Sequence, residues 1–298
     1  MVANRVPENP PPFRGEVARR AGGGALLSGL LLAALAFWPA AAQTGAPKIP
    51  NFMEDETVGW LARSNEYIAM PEGPHPVTPD PAHPYIQGAF RGRQPTLRVA
   101  DLDNPILQPW VKDELKKVND RVLAGKPAFP PQVRCWPLGV PAFVLYTAQP
   151  IYIIQRPKEV LMIWQSDQMV RHIYLTDKHT PNPKPSWFGE SIGHYENGDT
   201  LVVDTIAITT KNFVDNYRTP HTDRLHVVER FKLTGVSSRI EATVTVEDPG
   251  AFTMPWSAQQ TYQRTEVGPM GESTCAEGNF NYFNFDWDPL PEDDHPAF

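Results

Sequence analysis

The chain has 298 residues, of which 41% are hydrophobic and 20% charged, and a formal net charge of −7. That length supports one well-packed domain with room for long extensions. An acidic balance with no offsetting Lys/Arg cluster is repelled by a nucleic-acid duplex or an anionic membrane surface, so neither is an expected partner.

Taken from the N-terminus, Arg14, Arg19 and Arg20 precede an apolar run at 25–38 (ALLSGLLLAALAFW), and Ala40-Ala41-Ala42 offers small residues for a cut before Gln43. That order, around an apolar stretch too short for a comfortable span, predicts a secretory signal peptide over 1–42, with an uncleaved anchor as the alternative. Its removal takes away four of the 27 basic and two of the 34 acidic side chains, so the excess of acid rises to nine. The expected location is therefore exported, periplasmic or secreted, with no stable membrane insertion after cleavage. Cys135 and Cys275 are the only cysteines. In an exported protein two cysteines most simply form one disulfide, and their spacing excludes a C-x-x-C redox pair.

The 33 prolines concentrate before residue 150. Residues 43–132 read as a Pro-rich extended segment that wraps the fold and is held by Phe52, Trp60, Tyr67, Tyr85 and Phe90. One helix interrupts it over 105–125. Asp103-Asn104-Pro105 caps its start, Val111, Leu115, Val118 and Val122 form its apolar stripe, and Gly125 with Pro127 stops it. From Pro141 the period changes to two. Strands are expected at 143–148, 151–156, 160–165, 170–176, 200–209, 225–233, 240–247 and 257–265, with turn residues between them. Short strands at hairpin spacing predict a mainly β domain over 133–279. The expected form is an antiparallel meander closing into a lipocalin-like (calycin-type) barrel, with a β-sandwich as the alternative. Residues 280–298 read as an aromatic and acidic C-terminal tail.

Alternation sorts each strand into two faces. In 225–233, Glu229 shares the apolar face with Val227 and Phe231, while His226 falls with Arg230 and Lys232. In 200–209 the face carrying Val202, Ile206 and Ile208 also carries Asp204, which predicts an inward acid. Arg171 alternates with Ile173 and Leu175. Three charges with inward readings must meet one another, a water-filled cavity or a ligand, because an unpaired buried charge costs several kcal/mol. One reading is a salt-bridge cluster fixing barrel register. The other is the polar floor of a ligand cavity, where a carboxylate acts as base and Arg171 holds an oxyanion.

His221 and Asp223 belong to the loop ahead of that strand. A metal would need ligands from His179, His194, Glu196, His221, Asp223 and His226, yet no HxxxH, HExxH or HxH spacing is present, so no metal or other cofactor is assigned. Ser191 sits in the letters G-x-S-x-G, but a β-run follows where a nucleophile elbow needs a helix. Trp187, Tyr195 and Trp256, together with His194 and Glu196, suit the mouth of a site for a planar apolar or sugar-like ligand.

The strings PSWFGESIGHYENGDTLVVDT, TPHTDRLHVVERF, EDPGAFTMPW and STCAEGN resemble a large group of exported bacterial proteins. Their pattern runs P-[ST]-W-x-G-x-S-x-G-x-W-E-G-D-T-L-V-V-D-T and then P-H-[ST]-x-x-L-H-V-x-E-R-[FY]. The resemblance covers about residues 133–279. It implies recurrent positions at Arg171, Ser191, Glu196, Asp204, His221, His226, Glu229, Arg230, Asp248, Trp256 and Glu277. Tyr195 stands where the pattern has Trp, and Asn197 is an added turn residue. The resemblance implies where a site lies and supplies no reaction.

The function expected from these residues is a secreted small-molecule enzyme using acid–base chemistry (lyase, isomerase or hydrolase) in a barrel cavity. His221 would be the acid or base, oriented by Glu229, Asp204 or Asp223, with Arg171 binding an oxyanion. A lipocalin-like carrier without turnover and a metal-dependent enzyme with His/Asp ligands are the alternatives. The expected partner is a small-molecule ligand or substrate; the sequence leaves the oligomeric state open.

Overall fold

Period-two alternation becomes a closed sheet in the computed structural model, which describes residues 49–53, 57–63, 68–69, 77, 99–124, 135–146, 149–166, 169–236 and 238–275. All of these belong to the unit Gly45–Phe298. In chain order the elements are β1 (Val58–Ala62), β2 (Ile68–Ala69), α1 (Pro109–Leu123), α2 (Ala142–Leu145), β3 (Ile151–Gln155), β4 (Glu159–Trp164) and β5 (Met169–Tyr174). They continue with β6 (Glu190–Glu196), β7 (Thr200–Ile206), β8 (His226–Thr234), β9 (Arg239–Glu247) and β10 (Trp256–Glu266). The expected signal peptide and C-terminal tail lie outside the described residues. No helix among the described residues is long and apolar enough to cross a membrane.

The sheet runs β1-β3-β4-β5-β6-β7-β8-β9-β10, and β1 pairs again with β10, closing a nine-strand mixed barrel of the lipocalin-like kind. β2 extends β10 at Ala258 and Gln259. Inward residues of the three longest strands, including Val227, Phe231, Ile240, Val244, Ala258 and Tyr262, are buried. Each apolar side chain so buried stabilises by about 1.5–3 kcal/mol. Cys135 and Cys275 form the expected disulfide, with Cα atoms 5.5 Å apart.

The structure corrects the sequence-based expectations in four places. Residues 58–62 do not wrap the barrel from outside; they are the strand that closes it, with Trp60 pointing inward against Phe52. The helix starts at Pro109 instead of 105. Asn104 forms a local turn through its Oδ1 and the Ile106 N–H, so the second proline takes the first-turn position. Residues 143–148 are not a strand, because Ala142–Leu145 forms the short helix α2, entirely buried. Its last carbonyls are taken by the barrel interior: Gln260 Nε2 donates to Leu145 O at 3.0 Å and the Tyr262 hydroxyl to Val144 O. Tertiary partners at the helix end thus override the strand preference of Phe-Val-Leu.

The fourth correction concerns the meander. Glu190–Glu196, which reads as loop because of its glycine and mixed polarity, is strand β6, and it pairs with β5 in parallel. A parallel pair needs a crossover, here residues 175–189. Gly193 is required in β6. A Cβ there would stand 2.8 Å from Ile173 Cγ2 and 3.1 Å from Val202 O, so the neighbouring strands close over the bare backbone.

Candidate functional site

Inside the barrel, Arg171 on β5 and Glu229 on β8 are both fully buried and face each other as their alternation requires. Arg171 Nη1 donates to Glu229 Oε1 at 3.0 Å, Nη2 donates to Glu229 Oε2 and to Thr205 Oγ1 at 3.0 Å, and Nε donates to Ser191 Oγ at 3.2 Å. The guanidinium is thereby engaged on all three nitrogens. Around it the lumen is filled by side chains and by α2. The space bounded by Trp60, Ile151, Met162, Phe231 and Tyr262 amounts to about 10 Å³, no more than a water would occupy. The Tyr262 phenol is pushed well above its ordinary range by burial, then by the Glu229 charge, with Arg171 opposing. Among the described residues this part of the interior holds a structural ion pair, and the space beside it is too small for the substrate cavity expected there. Removing one partner of such a pair costs about 3–5 kcal/mol, since a lone charge stays buried.

His221 does not join Glu229. It is buried in loop 207–225, with Nδ1 2.8 Å from the Thr222 carbonyl and Nε2 2.7 Å from Asn212 Oδ1. Asn212 Nδ2 in turn donates to Val140 O at 3.1 Å, fastening the loop to the segment before α2. Burial pushes the His221 imidazole down, opposed by the Thr222 carbonyl and the Asp248 charge. Asp248 is itself saturated by the Thr222 hydroxyl and N–H and by the Gly250 N–H. Asp223 is exposed in the turn before β8.

Asp204 is the clearest displacement from expectation. Val203 pairs with the inward Glu229, and Asp204 pairs with the outward Val228, so Asp204 faces out. The alternation misleads because β7 is apolar on both faces: Val202, its outward neighbour, is also buried, at 6% exposure. On this outer face Asp204 joins a line of alternating carboxylates and imidazoles. Glu190 Oε1 lies 3.0 Å from His179 Nδ1, His179 Nε2 lies 2.9 Å from Asp204 Oδ1, Asp204 Oδ2 lies 3.1 Å from His226 Nε2, and His226 Nδ1 lies 3.5 Å from Glu247 Oε2. His179 comes from the crossover, Glu190 from β6, Asp204 from β7, His226 from β8 and Glu247 from β9, where it is the direct cross-strand partner of His226.

The electrostatics fix the protons. Partial burial raises the Asp204 carboxyl, but hydrogen bonds from His179 and His226 outweigh it and hold the group below its ordinary range. Glu190 is likewise lowered: burial raises it, and the Thr180 hydroxyl and N–H, then His179, overcome that. An ionised Asp204 accepts on each oxygen, which assigns a proton to Nε2 of both imidazoles.

At the far end of the line, Glu247 lines a cleft of about 250 Å³ together with Asp248, Pro249, Phe252, Thr253, Met254 and Pro255. The cleft follows β9 directly, so the line of acids and imidazoles ends in it. Among the described residues no group of three or more His, Cys, Asp or Glu side chains is placed to hold a metal ion.

The residues expected to line one mouth do not converge. Trp256 lies in the row of Val246, Val227, Thr205 and Ser191, at the cleft end of the strands, and is buried against Phe252 at 6.0 Å. His194 and Glu196 lie at the opposite end of β6, on the outer face, where Glu196 bonds His194 at 3.0 Å and Arg230 at 2.5 Å. Tyr195 turns inward and accepts from Gln155 Nε2 at 2.9 Å. Trp187 packs against Trp136 with ring centroids 5.4 Å apart and planes tilted by 44°. The sequence offers His179 only as a possible metal ligand and gives no role to Glu190 and Glu247. Glu247 is within reach of sequence reasoning, because the hairpin register sets it opposite His226; His179 is not, since it lies in a crossover that the alternation of the flanking strands does not reveal. No family model, curated protein or solved structure matches the chain.

Proposed function

We propose that this chain is an exported small-molecule enzyme that uses acid–base chemistry, of the lyase, isomerase or hydrolase type, in the cleft after β9, with His226 moving the proton. The observation that carries this reading is the Asp204–His226 pair: Asp204 holds Nε2 at 3.1 Å and leaves Nδ1 turned toward Glu247 at the cleft. A base oriented by a buried or half-buried carboxylate, with its second nitrogen toward a cleft, has the geometry that proton transfer requires. His179 backs up Asp204 from the other side and, with His226, holds it below its ordinary range. The test is mass spectrometry of a small-molecule extract before and after incubation with the full chain. His226→Gln should lower the rate of any conversion by about 10²-fold or more while leaving the chain folded, with a cooperative thermal transition. Conversion at the same rate in His226→Gln would remove the proposal.

A second reading is a carrier without turnover. It is favoured by an apolar groove of about 220 Å³ on the outside of β3 and β4, lined by Met53, Val58, Tyr152, Ile154, Ile163 and Met270. A compound retained unchanged by the protein, with no product from any component of the extract, would establish it.

A further inference from the structure

Between β5 and β6 the crossover runs as an exposed strap, and few groups hold it to the barrel. At its ends the Leu175 N–H donates to Lys158 O at 2.9 Å and the Ser186 N–H to Ala207 O at 3.1 Å. Between them, over 177–185, Pro181, Pro183 and Pro185 have no N–H to donate. Among the described residues, only His179 and Thr180 of this stretch hydrogen-bond to the barrel. Thr180 gives its N–H and its hydroxyl to Glu190 of β6. His179 bridges two strands, with Nδ1 3.0 Å from Glu190 Oε1 and Nε2 2.9 Å from Asp204 Oδ1 of β7. Its side chain is 19% exposed, while Lys178 and Thr180 on either side stand in solvent.

Both partners of this ring are carboxylates held below their ordinary range, hence ionised and acceptor-only. A neutral imidazole has one N–H. It can donate to one of these acids and must turn a lone pair to the other. Only the imidazolium donates to both. Among the described residues neither Glu190 nor Asp204 pairs with a lysine or arginine, so His179 is the cation that the two share. Beyond them, His226 of β8 takes the other oxygen of Asp204, and Glu247 of β9 follows 3.5 Å from His226. On the strap itself Asp177, Lys178 and Lys184 are exposed and make no ion pair among the described residues. We propose that the strap is latched by a proton: His179 ties it to β6 and β7 as an imidazolium, and loss of that proton lets 177–185 lift from the barrel. The strap then hangs on Thr180 alone, and Asp204 is uncovered. This goes beyond the catalytic reading and holds whether or not the protein converts a substrate.

The experiment is hydrogen exchange on the full chain, read by mass spectrometry on peptides covering 175–189 from about pH 5 to about pH 9 and corrected for the intrinsic pH dependence of exchange. Protection of the strap amides should fall about tenfold or more across that range, as the loss of a charge-assisted bond predicts. Its midpoint should coincide with the pH at which nitrogen NMR shows the His179 ring giving up one of its two N–H protons. Amides of β8 and β9 should keep their protection. His179→Ala should leave the strap poorly protected at every pH. Asp204→Asn offers an N–H to the lone pair of a neutral ring, so there the strap should stay protected to the top of the range. Strap protection in the unaltered chain that does not change with pH, the same step in either variant, or a protected strap over a neutral ring would each overturn the proposal. The first and last of these are read on the unaltered chain, so they decide even where a variant fails to fold.

Discussion

A carboxylate that serves two imidazoles at once, Asp204, sits at the centre of the line of acids on the barrel's outer face. Asp204 and Glu190 both ionise below their ordinary range in the folded chain. The unfolded chain therefore takes up protons at a higher pH than the folded chain does. Their contribution to stability is complete above the ordinary carboxylate value, about pH 4, and is lost as pH falls through the lower folded value. Asp204→Asn should accordingly flatten the dependence of the urea midpoint on pH below about pH 4 while lowering the midpoint at pH 6. Identical slopes for the two proteins would contradict the assignment of an ionised Asp204 to the His179–His226 pair. At this scale the sequence was partly legible. Glu229 and Arg171 were placed inward because β8 and β5 each have one plainly apolar face. Asp204 was misplaced because β7 has two, and alternation then carries no information about direction.

Among the elements, β1 has the largest influence for its length. It sits between β3 and β10, and its central Trp60 is buried, donates Nε1–H to Phe52 O at 2.9 Å and lies under the Arg264 guanidinium at 4.8 Å. Trp60→Ala should destabilise by about 3–5 kcal/mol, the usual cost of emptying a large aromatic site, read as a lower urea midpoint. A cost near zero would show that the ring does not depend on this strand. The apolar period of β8, β9 and β10 was readable because each has one buried face and one wet face. β1, β6 and α2 were not. Proline-rich surroundings hid the first, a glycine required by close strand packing hid the second, and the third is held by interior hydrogen bonds from Gln260 and Tyr262 that lie far from it in sequence.

For the whole molecule, one covalent link and one closed ring limit how far the chain can open. The Cys135–Cys275 bond spans a separation of 140 residues. On the loop-entropy account it stabilises by roughly 4–5 kcal/mol, acting through the unfolded chain. Replacing both cysteines by serine should lower the stability by an amount of that order and increase the m-value, because the denatured chain opens further. A change well under about 1 kcal/mol would mean that the folded chain gains little from the link. The barrel class and the disulfide could be read from residue spacing. The filled lumen could not, because it depends on α2 and Arg171 occupying the same interior.

Ring closure also imposes an order of events. Thr57 Oγ1 donates to Glu266 Oε1 across a separation of 209 residues, and β1 pairs with β10 throughout its length. Apart from the single Trp60–Ile151 pair with β3, the first strand of the ring can build its ladder only after β10, the last, has been made. Until then β3 and β10 each present an open edge. A β1 from another copy carries the same residues and fits the same gap. Crowded refolding should therefore yield reciprocally exchanged dimers, whereas dilute refolding leaves each chain to close on itself.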